Sequence, residues 1–493
     1  MLFNSLEFVA FFIIVACGYH LCPLAWRRAY LLVTSYAFYC TWSVVFAVLL
    51  LGVTAVTFVL GMKVGSAGSD AERRRSLVAG ILLLLLPLAA FKYLGGLNVP
   101  LVDRLRESPW ASHLAAMNLV GLVGISYYTL KLISYLIDVY WERIKPCREF
   151  AAVATYAAFF PQILSGPIQR AGDFIGQMEN ITPMPPAMLA SGLRLLLFGF
   201  FKKLVVADRL GVFVDQVFTD PRGYSGAMLV AASYLFAIQL YADFSGLTDI
   251  ARGAACVLGF SSPKNFDSPF YAENIQDFWR RWHMTLTSWL GDYLFVPLRL
   301  ALRDWGQVGL VLSLTVNMLA IGIWHGPRWS YVVFGLVHAA YLVGSTLTSN
   351  ARKLMLQHSP VLRKAHSITG PLITFHMVVA SFVFSRARSL EDAWYILSSS
   401  ATSLVAAIPH IGSAAAHRGL VAHGHVEWAP GEVVIAFGAL LMMEIVHFFE
   451  RTRPAGFVSS MSPWIRWPGY YALIFSILIF GEPNSKQFIY VKF

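Results

Sequence analysis

Residues 29–62 have the sequence AYLLVTSYAFYCTWSVVFAVLLLGVTAVTFVLGM, which contains no charged side chain over 34 positions. A single helix of that length would be about 51 Å long at 1.5 Å per residue, well beyond the hydrocarbon core of a bilayer. The run therefore predicts two membrane-spanning helices, with the break near residues 41–43.

Apolar runs of this kind recur from one end of the chain to the other. A spanning helix needs roughly 20 mostly apolar residues, so the pattern predicts an all-α polytopic membrane protein with about 11–13 transmembrane helices and some re-entrant or interfacial pieces. The other uncharged runs are residues 8–26, 76–91, 108–130, 150–169, 305–327 and 329–350, and weaker candidates are 190–210, 226–242, 246–260, 371–385, 432–447 and 468–481.

The composition agrees with a membrane protein. Of the 493 residues, 57% are hydrophobic and 13% are charged, and the mean hydropathy is +0.60. Soluble domains carry about 25% charged residues, so a soluble enzyme and a disordered protein are both excluded. The five cysteines are odd in number and mostly lie in apolar runs, which excludes a secreted disulfide scaffold. We predict one integral-membrane domain over residues 1–493.

The basic residues lie in short clusters between the apolar runs. The first, third and fifth loops hold nine Lys and Arg residues, and the second and fourth hold three. Because basic loops stay in the cytoplasm, this asymmetry predicts a periplasmic N-terminus. The net charge of +11 is then explained by the anionic bilayer surface, and nucleic acid is not expected as a partner. The nine are Arg27, Arg28, Lys63, Arg73, Arg74, Arg75, Arg143, Lys145 and Arg148, and the three are Lys92, Arg104 and Arg106.

Ionisable residues inside apolar segments are costly in a membrane and therefore indicate function by default. Asp243 and Asp249 flank Ser245 and Gly246, where we expect a helix break. The two carboxylates could form an acid/base pair, although structural pairing with Arg252 or another basic residue is the stronger interpretation.

A second polar stripe lies earlier in the chain. Lys131 and Asp138 are seven residues apart and so share one helical face. They could line a pathway, or they could be satisfied by neighbouring helices.

An aromatic segment runs from Asp277 to Leu290. Helical spacing over these residues places tryptophans and His283 on one apolar face, with Arg280 and Arg281 toward its edge. The pattern predicts one amphipathic helix at the cytoplasmic membrane surface, with its tryptophans at headgroup depth.

A histidine ends one of the uncharged runs. His325 closes the stretch that begins at Asn317, and a Gly-Pro pair follows it. A lone membrane histidine is more often packed than catalytic, but a Gly-Pro break can open a cavity, and imidazole suits proton transfer near neutral pH. No metal site is predicted, because the His-rich patch at His410, His417, His423 and His425 has no carboxylate at ligand spacing.

At these two histidines the sequence resembles the membrane-bound O-acyltransferase family, and specifically its bacterial branch typified by the membrane subunit of alginate O-acetyltransferase. The resemblance rests on Asp277-Phe-Trp-Arg-Arg-Trp-His283 followed, 42 residues later, by the histidine of Gly322-Ile-Trp-His-Gly326. Further similar stretches are residues 124–140, 159–167, 241–246 and 488–493, so the similarity covers essentially the whole chain.

The resemblance implies a helical bundle around a central tunnel, with a catalytic core at about residues 115–345. It implies transfer of an acetyl group from a cytoplasmic thioester, acetyl-coenzyme A or an acylated carrier protein, to a hydroxyl across the membrane, without a bound cofactor. His325 falls on the family's near-invariant histidine and is expected to act as general base, with His283 orienting a substrate. Residues expected along the substrate path are Asp243, Asp277, Arg280, Arg281, Trp282, Asn317 and Trp324.

The acceptor implied first is an alginate-type polysaccharide outside the cytoplasm, with peptidoglycan, cellulose and teichoic acid D-alanylation as alternatives. Expected partners are a periplasmic SGNH-type acetyltransferase and polysaccharide export machinery, at the bacterial inner membrane. Two other classes stay open at the level of sequence. One is a transporter that uses His325 and Asp243 in a pathway, for which we find no inverted repeat, and the other is a scaffold subunit without chemistry.

Overall fold

The computed structural model describes residues 1–93, 124–407, 428–452, 457–481 and 488–489, and helices dominate these ranges. Their bounds are Leu6–Leu21 (α1), Arg27–Cys40 (α2), Val44–Ser66 (α3), Asp70–Leu88 (α4), Ile125–Tyr140 (α5), Phe150–Ala158 (α6), Phe160–Ile163 (α7), Ala171–Glu179 (α8), Pro186–Phe201 (α9), Asp208–Thr219 (α10), Gly226–Val257 (α11), Ile275–Arg281 (α12), Met284–Leu290 (α13), Val296–Ala301 (α14), Gly306–His325 (α15), Trp329–Leu347 (α16), Ser349–His358 (α17), Pro360–Arg386 (α18), Leu390–Ala407 (α19), Pro430–Thr452 (α20), Phe457–Ser460 (α21) and Pro463–Phe480 (α22).

Within the described ranges, seven helices are long and apolar enough to cross a membrane, namely α3, α4, α11, α15, α16, α18 and α20. The shorter α1 is also apolar. The predicted all-α polytopic fold is confirmed. The number of spans stays a prediction for the whole chain, because most of the candidate at 108–130 and the His-rich patch lie outside the described residues.

The uncharged run at residues 29–62 forms two helices, as its length predicts. Helix α2 ends at Cys40 and α3 begins at Val44, so the predicted break near residues 41–43 is confirmed. The hydroxyl of Ser43 caps α3 by accepting a hydrogen bond from the backbone N–H of Phe46 at 3.4 Å. Such a cap satisfies a backbone donor that the helix itself leaves unpaired.

Several helix ends meet at one side of the bundle, which we call the basic face. Arg28, at the start of α2, lies 3.5 Å from Glu149. Arg73, in the first turn of α4, pairs with Glu142 at 2.8 Å, just beyond the end of α5. The ion pairs place the basic loops after α1, α3 and α5 on the same side, as the charge count predicts.

The predicted span at 150–169 is wrong as a single helix. The segment forms two short helices, α6 and α7, and then continues as non-helical chain past Gly166. Non-helical backbone is tolerated inside a membrane protein where protein covers it, and here residues 158–169 are all buried. The segment therefore lies inside the bundle and not against lipid.

Helix α11 is continuous over 32 residues, so the predicted break at Ser245 and Gly246 is wrong. Gly246 instead permits a close approach between helices. A Cβ on Gly199 of α9 would lie 2.8 Å from the carbonyl oxygen of Gly246, and a Cβ on Gly246 would lie 2.9 Å from that of Gly199. Small residues at such contacts let two membrane helices pack backbone to backbone.

This contact predicts that one added methyl group at Gly199 lowers the stability of the protein. Gly199→Ala would force α9 and α11 apart and should lower stability by about 1–3 kcal/mol. The measurement is the midpoint of thermal unfolding in detergent. The matched control is Gly52→Ala in α3, where an added Cβ meets nothing within 4 Å. Equal midpoints for the two variants would contradict the close contact.

Candidate functional site

The segment around His283 is bent, and the single helix predicted over 277–290 is wrong. Helices α12 and α13 are separate, and His283 between them adopts a left-handed backbone with φ of 43°. Asn265, from another part of the chain, stabilises the bend. Its backbone carbonyl accepts a hydrogen bond from the N–H of Met284 at 2.9 Å. Its side-chain oxygen accepts hydrogen bonds from the N–H of Thr285 at 3.2 Å and from the Thr285 hydroxyl at 2.6 Å. These bonds replace the helical bonds that the bend removes.

The tryptophans of this segment lie inside the protein, so their predicted location at headgroup depth is wrong. Trp279 and Trp289 are 5% and 8% exposed. The indole N–H of Trp289 donates to the carbonyl of Leu130 at 2.9 Å, inside the bundle. The sequence pattern identified the apolar face correctly, but helices and not lipid headgroups cover it.

The side chain of His283 is enclosed by aromatic rings. Its ring centroid lies 4.7 Å from Phe244, 5.7 Å from Trp324 and 6.4 Å from Tyr127. Its Nδ1 lies 3.4 Å from the side-chain oxygen of Asn265, which can only accept. In this arrangement Nδ1 carries the proton and Nε2 is the basic nitrogen. Burial lowers the pKa of His283, which keeps the imidazole neutral.

His325 is the last residue of α15, and its ring approaches the same aromatic group. The ring centroid lies 5.1 Å from Trp324, and Tyr331 and Phe334 are each 5.9 Å away. Gly326 follows with φ of 152°, which turns the chain away from the helix. The indole of Trp324 is therefore in contact with both imidazoles.

Comparison with known proteins shows the family of the chain. The family model of the membrane-bound O-acyltransferases matches residues 147–385, a range that contains both histidines. The probable alginate O-acetylase of Pseudomonas aeruginosa is 33% identical, over 80% of this chain and 74% of that protein. The chain belongs to the membrane-bound O-acyltransferase family.

Two other relatives match different shares of the chain. The peptidoglycan O-acetyltransferase of Helicobacter pylori is 28% identical over 100% of this chain and 95% of its own length. The teichoic acid D-alanyltransferase of Streptococcus thermophilus is 28% identical over 56% of this chain and 71% of its own length. The family and these relatives therefore establish that the protein is an acyltransferase. They give no support to the transporter or scaffold alternatives.

The structure places the remaining residues expected along the substrate path in different parts of the molecule. Trp324 lies between the histidines, and Asn317 is buried about two turns earlier on α15. Asp277 forms ion pairs with Arg281 at 2.9 Å and Arg280 at 3.4 Å. These three charged residues are tied to one another at the exposed side of α12.

Trp282 lies next to His283 in sequence but packs in a different aromatic cluster. Its ring contacts Phe266 and Phe382 at 5.1 Å and Phe278 at 5.5 Å. The cluster holds α12 against α18. We assign Trp282 to packing around the candidate site.

Asp243 is engaged in a buried ion pair. Its carboxylate accepts from Lys203 at 2.8 Å and from the backbone N–H of Ile489 at 2.8 Å, and Lys203 also pairs with Asp208 at 2.8 Å. One turn and a half later, Asp249 pairs with Lys202 and with Arg252 at 2.5 and 3.4 Å. The arrangement favours structural pairing over an acid/base pair of aspartates.

The earlier polar stripe on α5 is also satisfied by neighbours. Lys131 donates to Gln162 at 3.2 Å and lies over the ring of Tyr156 at 4.4 Å. Asp138 accepts from the hydroxyl of Tyr293 at 2.8 Å. These contacts favour the packed interpretation of the stripe.

Sequence reasoning missed two other buried histidines, His447 and His338, and the contacts of His338 join three helices. The indole N–H of Trp279 donates to Nδ1 of His338 at 3.3 Å, so Nε2 carries the proton toward Ser381 Oγ at 2.8 Å. Both nitrogens are thereby used to join α12, α16 and α18. Its place in the uncharged run 329–350 was a usable signal. Asn265 gave no such signal, because an asparagine in a polar loop is ordinary.

The buried ion pairs predict a strong dependence of stability on Lys203. Lys203→Met would leave Asp208 and Asp243 buried without their cation, at a cost of about 3–5 kcal/mol. Membrane abundance and the thermal unfolding midpoint measure this cost, with the exposed Lys353→Met as control. Adding Asp243→Asn to Lys203→Met should recover part of the loss. A double variant no more stable than the single one would contradict the pairing.

Proposed function

We propose that the enzyme transfers an acetyl group from a cytoplasmic thioester to a hydroxyl of a polysaccharide outside the cytoplasm. The observation that carries the proposal is the pair of buried imidazoles in contact with one indole, Trp324. A thioester is already activated, so the enzyme needs alignment of two substrates and one base, both of which a buried aromatic site can supply.

The proposed step assigns a role to each histidine. His325 removes the proton from the acceptor hydroxyl as its oxygen attacks the thioester carbonyl carbon. The new ester C–O bond forms, the C–S bond breaks, and the departing thiolate takes up the proton that His325 removed, which returns the imidazole to its neutral form. His283, whose Nδ1 faces Asn265, orients the substrate from the other side of Trp324. The substrate path is proposed to pass these residues in a tunnel, within a catalytic core of about residues 115–345.

The donor is proposed to enter from the basic face. Basic loops stay on the cytoplasmic side of membranes, so we propose a cytoplasmic basic face and a periplasmic N-terminus. Acetyl-coenzyme A and an acylated carrier protein both carry phosphate that Arg280 and Arg281 could attract, although Asp277 neutralises part of this charge. No bound cofactor is needed for the reaction.

Two acceptors are supported by specific matches. Alginate-type polysaccharide is favoured by the higher identity of the alginate relative. Peptidoglycan is favoured by the relative that matches the entire chain. We propose the first, with an SGNH-type acetyltransferase and export machinery as periplasmic partners at the bacterial inner membrane.

The proposed general base predicts a large loss of transfer in one variant. His325→Ala should lower acetylation of extracellular polymer about 100-fold or more. His283→Ala should lower it about tenfold or more through lost alignment. Ester-linked acetate per cell is the measurement, normalised to membrane abundance. His376→Ala is the matched control, because that histidine lies on the exposed side of α18. Normal acetylation in His325→Ala at normal abundance would refute the base.

The acceptor is identified by a separate experiment on cells with and without the gene. Exopolysaccharide and muropeptides are purified from the same cultures, and mass spectrometry measures acetate on each. Loss of acetate from exopolysaccharide alone supports the alginate-type acceptor. Loss from muropeptides alone shows that peptidoglycan is the acceptor and overturns our first choice.

A further inference from the structure

The end of the helix that carries His325 poses a hydrogen-bonding problem. The last turn of any α-helix leaves backbone carbonyls without intrahelical donors, and inside a membrane protein these carbonyls need other partners. In α15 the N–H of Gly326 returns to the carbonyl of Ile323 at 3.1 Å. Glycine and proline follow at 326 and 327, so the helix cannot continue, and proline has no N–H to donate.

Two side chains from one segment serve these carbonyls. The ammonium group of Lys92 donates to the carbonyl of Trp324, and the hydroxyl of Tyr93 donates to that of Ile323 at 2.8 Å. Both residues lie in a wide helical turn, residues 89–93, that extends α4. Adjacent side chains thus cap adjacent carbonyls of the turn that ends at His325.

Lys92 also contacts the opposite wall of the site. Its Nζ donates to the hydroxyl of Ser126 at 3.0 Å, next to Tyr127, whose ring lies 5.5 Å from Trp324. The ammonium lies 5.0 Å from the centre of the Trp324 ring. One cation therefore connects α5, the indole and the end of α15.

The charge count assigns Lys92 to a loop outside the cytoplasm. In the structure its side chain instead reaches Trp324 and Ser126 inside the bundle. A lysine near a helix end normally extends toward the headgroups, and here it extends to neutral acceptors in the bundle. Among the described residues no carboxylate forms an ion pair with Lys92. A cation at a helix C-terminus is favoured by the partial negative charge there, which explains why a lysine suits this position.

We propose that Lys92, assisted by Tyr93, is a positioning residue that caps the last turn of α15 and fixes the imidazole of His325 against Trp324. The inference rests on the proposed function, in which His325 is the base. The proposal gives the turn at residues 89–93, which lies outside both histidine motifs, a supporting role in catalysis.

The positioning role of Lys92 is tested by steady-state kinetics of the purified enzyme. The assay measures acetyl transfer from acetyl-coenzyme A or acetylated carrier protein to an oligosaccharide. Lys92→Met should lower kcat about 10–100-fold and leave KM for both substrates within about twofold, because small misplacement of a base slows the chemical step. Lys92→Arg, which keeps a cation and donors, should recover at least half of the lost activity on a logarithmic scale. Tyr93→Phe, which removes one neutral hydrogen bond, should lower kcat about two- to tenfold.

Lys353→Met is the matched control, because Lys353 is exposed on α17, outside the basic loops after α1, α3 and α5, and loses the same charge. It should retain normal kcat. An unchanged kcat in Lys92→Met, or a Lys92→Arg variant as impaired as Lys92→Met, overturns the proposal. A raised KM with unchanged kcat also overturns it, since it assigns Lys92 to substrate binding.

A second measurement is independent of activity. Hydrogen–deuterium exchange of a peptide covering residues 321–326 should be faster in Lys92→Met than in wild type and unchanged in Lys353→Met. Equal exchange in both variants overturns the cap. Normal transfer by His325→Ala would instead refute the proposed base, whatever the exchange result, so the two failures are distinguishable.

Discussion

The interior of this protein depends on one constraint: within the hydrocarbon of a bilayer, the chain itself must supply the partner of every polar group. Lys203 between Asp208 and Asp243 is the clearest case, because an unpaired charge there would be prohibitive. Lys131 meets the same requirement with the amide of Gln162 and the ring of Tyr156. Such residues decide which helices must be neighbours.

The same constraint locates the chemistry. Helices that run unbroken across the bilayer present few reactive groups, whereas a bend or a helix end exposes backbone that protein must cover. His283 lies at a bend held by Asn265, and His325 lies at an end served by Lys92 and Tyr93. Both interruptions face Trp324. The candidate site therefore lies where the regular structure stops, and the residues around it supply the hydrogen bonds that the interrupted helices lack.

The sequence predicted the parts of the fold that depend on local pattern. Hydropathy and length divide the run at 29–62 correctly, and the family motifs contain the two histidines whose rings both contact Trp324. It failed where tertiary contacts override local pattern. Gly246 suggested a break but serves a helix contact, and the tryptophans beside His283 suggested a membrane surface but lie under other helices. Asn265 and Lys92 could not be found, because each acts on a backbone more than 15 residues away in sequence.

The ion pairs between the segment after α9 and helix α11 bear on how the protein is made. That segment contributes Lys202 and Lys203, and α11 contributes Asp243 and Asp249. Each charge alone would cost about 2.5–3.5 kcal/mol at the centre of a lipid-exposed helix during insertion. Pairing of the two segments removes this cost. Insertion is therefore more favourable when the segment after α9 and helix α11 enter the lipid already paired than when each enters alone.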